Sequence, residues 1–220
     1  QIVIGLLCDG EGTPLSIDVF SGNTADTQTF GQQVAKVAER FGAQSVTFVG
    51  DRGMIKGPQI AQLQQYQDHE FHYITAITKP QIEKLLQENA LQLSLFDQEL
   101  GEVQLDEGVR WVLRRNPVRA EEIKQSRDDK YQSLLKLVEQ QNGYLLEHPR
   151  AKPCAAKRKI ESKSKKLRID GWACVSCQER TLSVSKDTEQ LQEVEKLDGC
   201  YVLKTDLARH QAPKEMIHDR

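Results

Sequence analysis

No run of apolar residues in this sequence approaches the roughly 20 that a membrane-spanning helix needs. No secretory signal pattern opens it. Charge of one sign is lacking too. The formal net charge is −2, so no global field draws the chain to a polyanion, and any attraction to phosphate has to be local. The 5 cysteines are odd in number and scattered without a disulfide framework. That usage belongs to a reducing compartment, and a cytoplasmic location is expected. The lone Cys-x-x-Cys, Cys174-Val175-Ser176-Cys177, has no second pair to complete the four ligands of a structural zinc, and only Cys154 and Cys200 remain to be recruited. Positions three apart on a strand also face opposite sides, so zinc is disfavoured. His69, His72, His148, His210 and His218 show no ligand spacing on a helix and sit in no Cys-His nucleophile motif. No internal repeat is present.

What is there suits one large domain or two small ones in 220 residues, with 38% hydrophobic content and much solvated surface. Residues 2–8 and 15–20 read as strands joined by the turn Asp9-Gly10-Glu11-Gly12, hence a hairpin. Phe30, Val34, Val37, Ala38 and Phe41 recur at helical spacing over 27–41, and Gly42 ends that helix. Residues 45–50 form a short buried strand, Gly57-Pro58 opens a helix, and 71–78 is another strand. A hairpin feeding a βαβα unit predicts an α/β fold, a mixed sheet flanked by helices.

Beyond Pro80 the character changes. A helix is expected over 81–92, short strands at 103–105 and 109–114, and a long polar helix from Pro117 that Asn142-Gly143 ends. Residues 152–166 are basic and poor in large apolar side chains. Strands at 167–175 and 180–184, a helix at 187–196 and a last strand at 200–205 follow. The expected organisation is 1–78 as the front of a core sheet, 79–196 as an insertion and 197–220 as a return to the core. Gln1 is not Met, and the helix from Pro213 stops at Arg220 without a cap, so a fragment of a longer protein is expected.

Val46-Thr47-Phe48-Val49-Gly50-Asp51-Arg52-Gly53-Met54 carries the sharpest chemical signal. A β-branched run ends in a carboxylate, which places that acid where open α/β sheets hold ligands. Asp51 reads either as a cap for the following turn or as a ligand for a hard divalent cation, which takes one or two carboxylates plus phosphate oxygens. Arg52 reads as a planar phosphate donor at the same edge or as a plain surface arginine. Lys157, Arg158, Lys159, Lys163, Lys165 and Lys166, with Lys152 and Arg168, make a local basic patch. It reads as a salt-dependent phosphate contact or a solvated linker. No aromatic residue interleaves with it, which argues against stacking on single strands. Asp9 is ordinary hairpin chemistry. The loop Gly22-Asn23-Thr24-Ala25-Asp26-Thr27 is compatible with a simple helix cap.

Taken together, four stretches resemble the DDE transposases of bacterial insertion sequences, with their ribonuclease-H-like core. They are Gly12-Thr13-Pro14-Leu15 through Phe20; Gly22-Asn23-Thr24-Ala25-Asp26-Thr27-Gln28-Thr29-Phe30; Phe48-Val49-Gly50-Asp51-Arg52-Gly53-Met54; and Asp198-Gly199-Cys200-Tyr201-Val202-Leu203-Lys204-Thr205-Asp206. The subfamily it resembles has a long, DNA-contacting insertion between the second catalytic Asp and the catalytic Glu. The resemblance implies that Asp51 is the second Asp of the triad and a ligand for Mg²⁺ (or Mn²⁺). It puts the first Asp on a strand upstream of Gln1 and the Glu on a helix beyond Arg220. Asp9, Asp206, Glu215 and Asp219 do not occupy motif positions. The implied activity is DNA strand cleavage by water and strand transfer by the freed 3′ hydroxyl, with element ends and target DNA as partners and a homodimer in the synaptic complex. The isolated fragment is expected to be inactive. Two other readings stay open: a non-catalytic DNA-binding remnant, and a ribonuclease-H-like nuclease that is not a transposase.

Overall fold

A computed structural model describes residues 2–21, 26–104 and 108–219. The chain forms two compact units, residues 1–114 with 201–220, and residues 115–200.

The first unit opens with the expected hairpin. β1 (Ile2–Cys8) pairs antiparallel with β2 (Pro14–Ser21), setting Ile4 opposite Val19 and Leu6 opposite Ile17. Asp9 closes the turn, its Oδ1 accepting from the N–H of Glu11 at 2.9 Å and of Thr13 at 2.8 Å. The loop residues 22–25 singled out above lie outside the described residues. α1 (Asp26–Ala35) continues into a π-helical turn, Lys36–Arg40, so the periodic stretch is helical almost throughout. Its apolar stripe of Phe30, Val34, Val37 and Ala38 is buried against Ile55, Leu63, Phe71 and Tyr73. Gln33 donates to Asp18 at 2.9 Å and Lys36 donates to Ser16 at 3.1 Å, and Lys36 also pairs with Asp18. The helix therefore meets polar side chains of β2, while Ile4, Leu6, Ile17 and Val19 stay exposed.

β3 (Ser45–Gly50), α2 (Gly57–Leu63) and β4 (Glu70–Ala76) make a βαβ unit with parallel strands in the register Val46–Phe71 to Gly50–Thr75. Phe48 of β3 packs edge-on against Phe30 at 5.5 Å and Phe71 at 5.4 Å, geometry that the ring quadrupole favours. α3 (Lys79–Gln87) starts at Thr78 with a capping box, Gln81 reaching back to the Thr78 N–H at 2.8 Å. A short 3₁₀ segment, Leu93–Asp97, leads to β5 (Gly101–Gln104) and β6 (Arg110–Arg115), which pair antiparallel.

The second unit begins with α4 (Pro117–Glu147), capped by Asn116, which accepts from the Arg119 N–H at 3.1 Å. This helix does not stop at Asn142-Gly143, where a turn was expected. Asn142 instead donates to the Leu182 carbonyl at 2.8 Å and accepts from the Leu182 N–H at 2.9 Å, and one turn on Leu145 is buried. Tertiary bonds override the weak local stop signal. α5 (Pro153–Leu167) forms from the basic stretch; Ala156, Ile160 and Ser164 are buried at four-residue intervals. β7 (Ala173–Gln178) and β8 (Thr181–Lys186) form a second hairpin, and α6 (Thr188–Glu195) follows, capped by Asp187. Leu134, Val138, Ile160, Trp172 and Leu182 are central to this unit's core. Asp198 and Arg127 are both buried and bonded at 2.6 Å, and Glu195 reaches the same guanidinium at 3.1 Å. Gly199 has φ +70°, and a Cβ there would meet the Asn116 carbonyl oxygen at 2.3 Å, so no other residue fits.

The chain closes with β9 (Cys200–Thr205) and α7 (Lys214–Asp219). β9 lies between β4 and β6, giving a five-stranded sheet in the order β3-β4-β9-β6-β5; it is mixed, because β4 is parallel to β3 and antiparallel to β9. Arg110 is its buried polar tie. The guanidinium donates to Glu102 at 2.7 Å and to the carbonyls of Leu207 at 2.6 Å and Ala212 at 2.9 Å. The architecture is mixed α/β with helices flanking the sheet, compatible with a ribonuclease-H-like core. The first hairpin forms a two-stranded sheet of its own among the described residues. No described helix is long and apolar enough to cross a membrane.

Candidate functional site

Asp51 lies just past the C-terminal end of β3 and is exposed. Its Oδ1 accepts from the backbone N–H of Gly53 at 2.7 Å and of Met54 at 2.9 Å. Its main-chain carbonyl accepts from Met54 at 3.1 Å and Ile55 at 3.2 Å, closing one helical turn. The capping role weighed from the sequence is therefore real. It occupies one carboxylate oxygen. A carboxylate has two, with about four acceptor sites, and Oδ2 carries no bond to any described residue.

Two residues that sequence reasoning passed over fix this turn. Thr75, buried on β4, donates toward the carbonyls of Asp51 at 3.2 Å and Ile55 at 3.3 Å. Gly50 leaves room for the turn to fold back, since a Cβ there would lie 2.9 Å from the side chain of Ile55, itself buried. The only signal for Gly50 was its place before the acid, and Thr75 gave none.

Beside the turn, a cleft of about 770 Å³ opens between β1 and β3, with Leu6, Cys8, Val46, Phe48, Val49 and Met54 among its walls. Among the described residues β1 pairs only with β2 and β3 only with β4, so both walls present a free strand edge. No group of three or more His, Cys, Asp or Glu side chains among the described residues is disposed to hold a metal ion. Asp206, past the end of β9, accepts from the Tyr73 N–H at 3.0 Å and lies 3.4 Å from the His72 ring. It is a tie between strands.

Arg52 is exposed and makes no ion pair or hydrogen bond with the described residues. The basic residues of α5 separate by their surroundings. Lys157 is 3.7 Å from Glu161. Lys159, Lys163 and Lys166 line a groove of about 560 Å³ between α5 and α4, and Lys136 enters it from α4. Arg158 and Lys165 are exposed and do not line it. Lys136 was invisible in the sequence because it sits in a helix of mixed charge, where no single lysine stands out. Cys174, exposed, and Cys177, half-buried, alternate across β7.

The mixed α/β sheet is compatible with a ribonuclease-H-like fold. Residues 2–197 match the family described as Transposase DDE domain, and the chain belongs to that family. No curated protein and no solved structure gives a significant match. Membership places the chain in the nuclease and strand-transferase class, which acts on DNA and generally uses divalent metal ions.

Proposed function

We propose that this chain carries catalytic-core residues of an insertion-sequence transposase, with Asp51 as one carboxylate ligand for Mg²⁺ or Mn²⁺. The observation that carries the reading is the state of Asp51. Two backbone N–H groups fix one oxygen and leave the other open at the exposed end of β3. A hard, pre-positioned oxygen is the donor such a cation requires. When bound, the cation stabilises the charge on the attacking and leaving oxygens of phosphoryl transfer. Asp51 supplies a fixed ligand atom, and Arg52, unpaired beside it, supplies a donor for the scissile or an adjacent phosphate. The free edges of β1 and β3 suit the cleft between them to an extended strand, and a strand seated there would bring a second carboxylate toward Asp51. Residues 79–196 are the insertion of this reading, and the second compact unit, 115–200, takes in most of it. Of its basic residues Lys157, Arg158, Lys159, Lys163, Lys165 and Lys166, the three that share one groove, Lys159, Lys163 and Lys166, would hold phosphate without reading bases. The described residues bring one candidate ligand to the site, so the chain on its own is expected to lack cleavage activity, and the active species is a dimer at paired element ends.

The test is Asp51→Asn in a transposition-competent protein, assayed on element-end DNA. Strand cleavage is expected to disappear while end binding persists. Cleavage at the wild-type rate by that variant would reject the assignment. A module that holds DNA without cutting it is the second reading, favoured by a lysine groove in the second unit and a single candidate carboxylate among the described residues of the first. Cation-dependent nicking by a complete protein, lost with Asp51→Asn, excludes it.

A further inference from the structure

The groove between α4 and α5 is the strongest unassigned feature of the molecule. Lys159, Lys163 and Lys166 stand one turn apart on one face of α5. Lys136 of α4 completes the set from the opposite wall. None of the four makes an ion pair with a described residue, and no Asp or Glu lines the groove. Four ammonium groups held around one groove repel one another, and no described residue pairs with them. Other lysines of this unit do have partners: Lys157 has Glu161, Lys186 has Asp128 and Lys196 has Glu193. The remaining polar groups that the groove offers, Ser133, Gln140 and Ser162, are neutral donors suited to phosphate oxygens.

We infer that this groove is a phosphate track for duplex DNA, gripping about four successive phosphates of one strand. The inference rests on the reading of the chain as a DNA-processing protein. At 1.5 Å per residue, Lys159 to Lys166 covers about 10.5 Å of helix axis. One strand of a duplex carries a phosphate every 3.4 Å or so along its axis, so the track spans about three spacings and reaches about four phosphates. Lysines act as point charges and do not read base edges in the bidentate manner of arginine. The one large apolar side chain in the lining is Leu137, and no aromatic ring is there for a base to stack on. The groove thus suits a regular charged backbone and gives no platform for unpaired bases.

Binding of the 220-residue chain to a fluorescent 30-base-pair duplex, measured by anisotropy across a salt series, tests this. Four lysine–phosphate contacts predict a slope of log K against log salt steeper than about −3. Lys136→Gln with Lys163→Gln is expected to weaken binding about tenfold near 0.1 M salt and to flatten the slope by about 2, whatever the duplex sequence. Arg158→Gln with Lys165→Gln removes the same charge from α5 outside the groove and is expected to change the slope by well under 1. Lys159→Gln with Lys166→Gln repeats the groove test with different residues, and thermal melts of all variants show whether they fold. Equal losses from groove and control pairs overturn the track and leave a diffuse charge effect. A wild-type chain that binds with both groove pairs silent overturns the track but not the transposase reading. A wild-type chain with no salt-dependent binding overturns both the track and the phosphate-holding role of α5. Stronger competition by a single strand of equal length overturns the duplex assignment.

Discussion

Asp51 is asked to do two things, and two substitutions separate them. Asn keeps an oxygen where Oδ1 accepts from Gly53 at 2.7 Å and Met54 at 2.9 Å, but it removes the charge. Ala removes both. Asn and Asp are near equals as caps, whereas loss of the cap to Ala costs about 1 kcal/mol. Water reaches this exposed turn and partly replaces the lost acceptor, which keeps the cost near that figure. In a chain of this size about 1 kcal/mol moves the melting temperature by about 2–4 °C. Thermal denaturation followed by circular dichroism is therefore expected to place Asp51→Asn within a degree or so of wild type and Asp51→Ala measurably below it. Metal-dependent cleavage should show a different pattern, with both variants equally dead, because both lack an anionic ligand. If Asp51→Asn melts as low as Asp51→Ala, the charge and not the turn bonds holds this corner together. If Asp51→Ala melts with wild type, the turn bonds contribute nothing, and the argument that they pre-position Oδ2 fails.

Three further outcomes test the fold around the sites. Asp198→Ala leaves the buried Arg127 guanidinium with only the more exposed Glu195, and breaking such a pair is expected to cost about 3 kcal/mol in urea denaturation; a change below about 1 kcal/mol refutes the clasp. Asn142→Ala removes both bonds to the Leu182 backbone and is expected to cost about 2 kcal/mol, with protection of the Leu182 amide falling in hydrogen exchange; an unchanged amide refutes it. For Glu102, burial pushes the carboxyl pKa up, but hydrogen bonds and charge from Arg110 and Arg209 outweigh that and hold it below its ordinary value of 4.5. A depressed carboxyl contributes stability that is complete above the unfolded pKa and is lost as pH falls through the folded one. Denaturant midpoints below about pH 4.5 should therefore fall less steeply for Glu102→Gln than for wild type, and parallel curves refute the linkage.

The legible parts of this molecule are those whose cause is local. The hairpin turn was readable because Asp9 locks it with bonds to residues two and four away. The span of β3 and the carboxylate after it were readable because the apolar run ends abruptly. The misread parts are those decided by distant partners. α4 passes through Asn142-Gly143 because a strand edge 40 residues away takes up the amide that signals a turn. Nor does any local pattern place β9 between β4 and β6, since the ties from the Asp206 region to Tyr73 and from Arg110 to Leu207 span some hundred residues.

The basic stretch shows what composition alone leaves open. Read as a string, 152–166 has one large apolar residue before Leu167 and resembles a solvated linker. Read as a helix, that residue, Ile160, sits between Ala156 and Ser164 at four-residue spacing, so a narrow buried stripe suffices when α4 and β7 supply the rest of the core. The same periodicity that buries Ile160 gathers Lys159, Lys163 and Lys166 along the groove and leaves Arg158 and Lys165 off it. Had the segment been a flexible linker, its lysines would be interchangeable, and removing any two would have equal effect on phosphate binding. Folding makes them unequal, so the comparison of groove and control pairs probes the helix as well as the site.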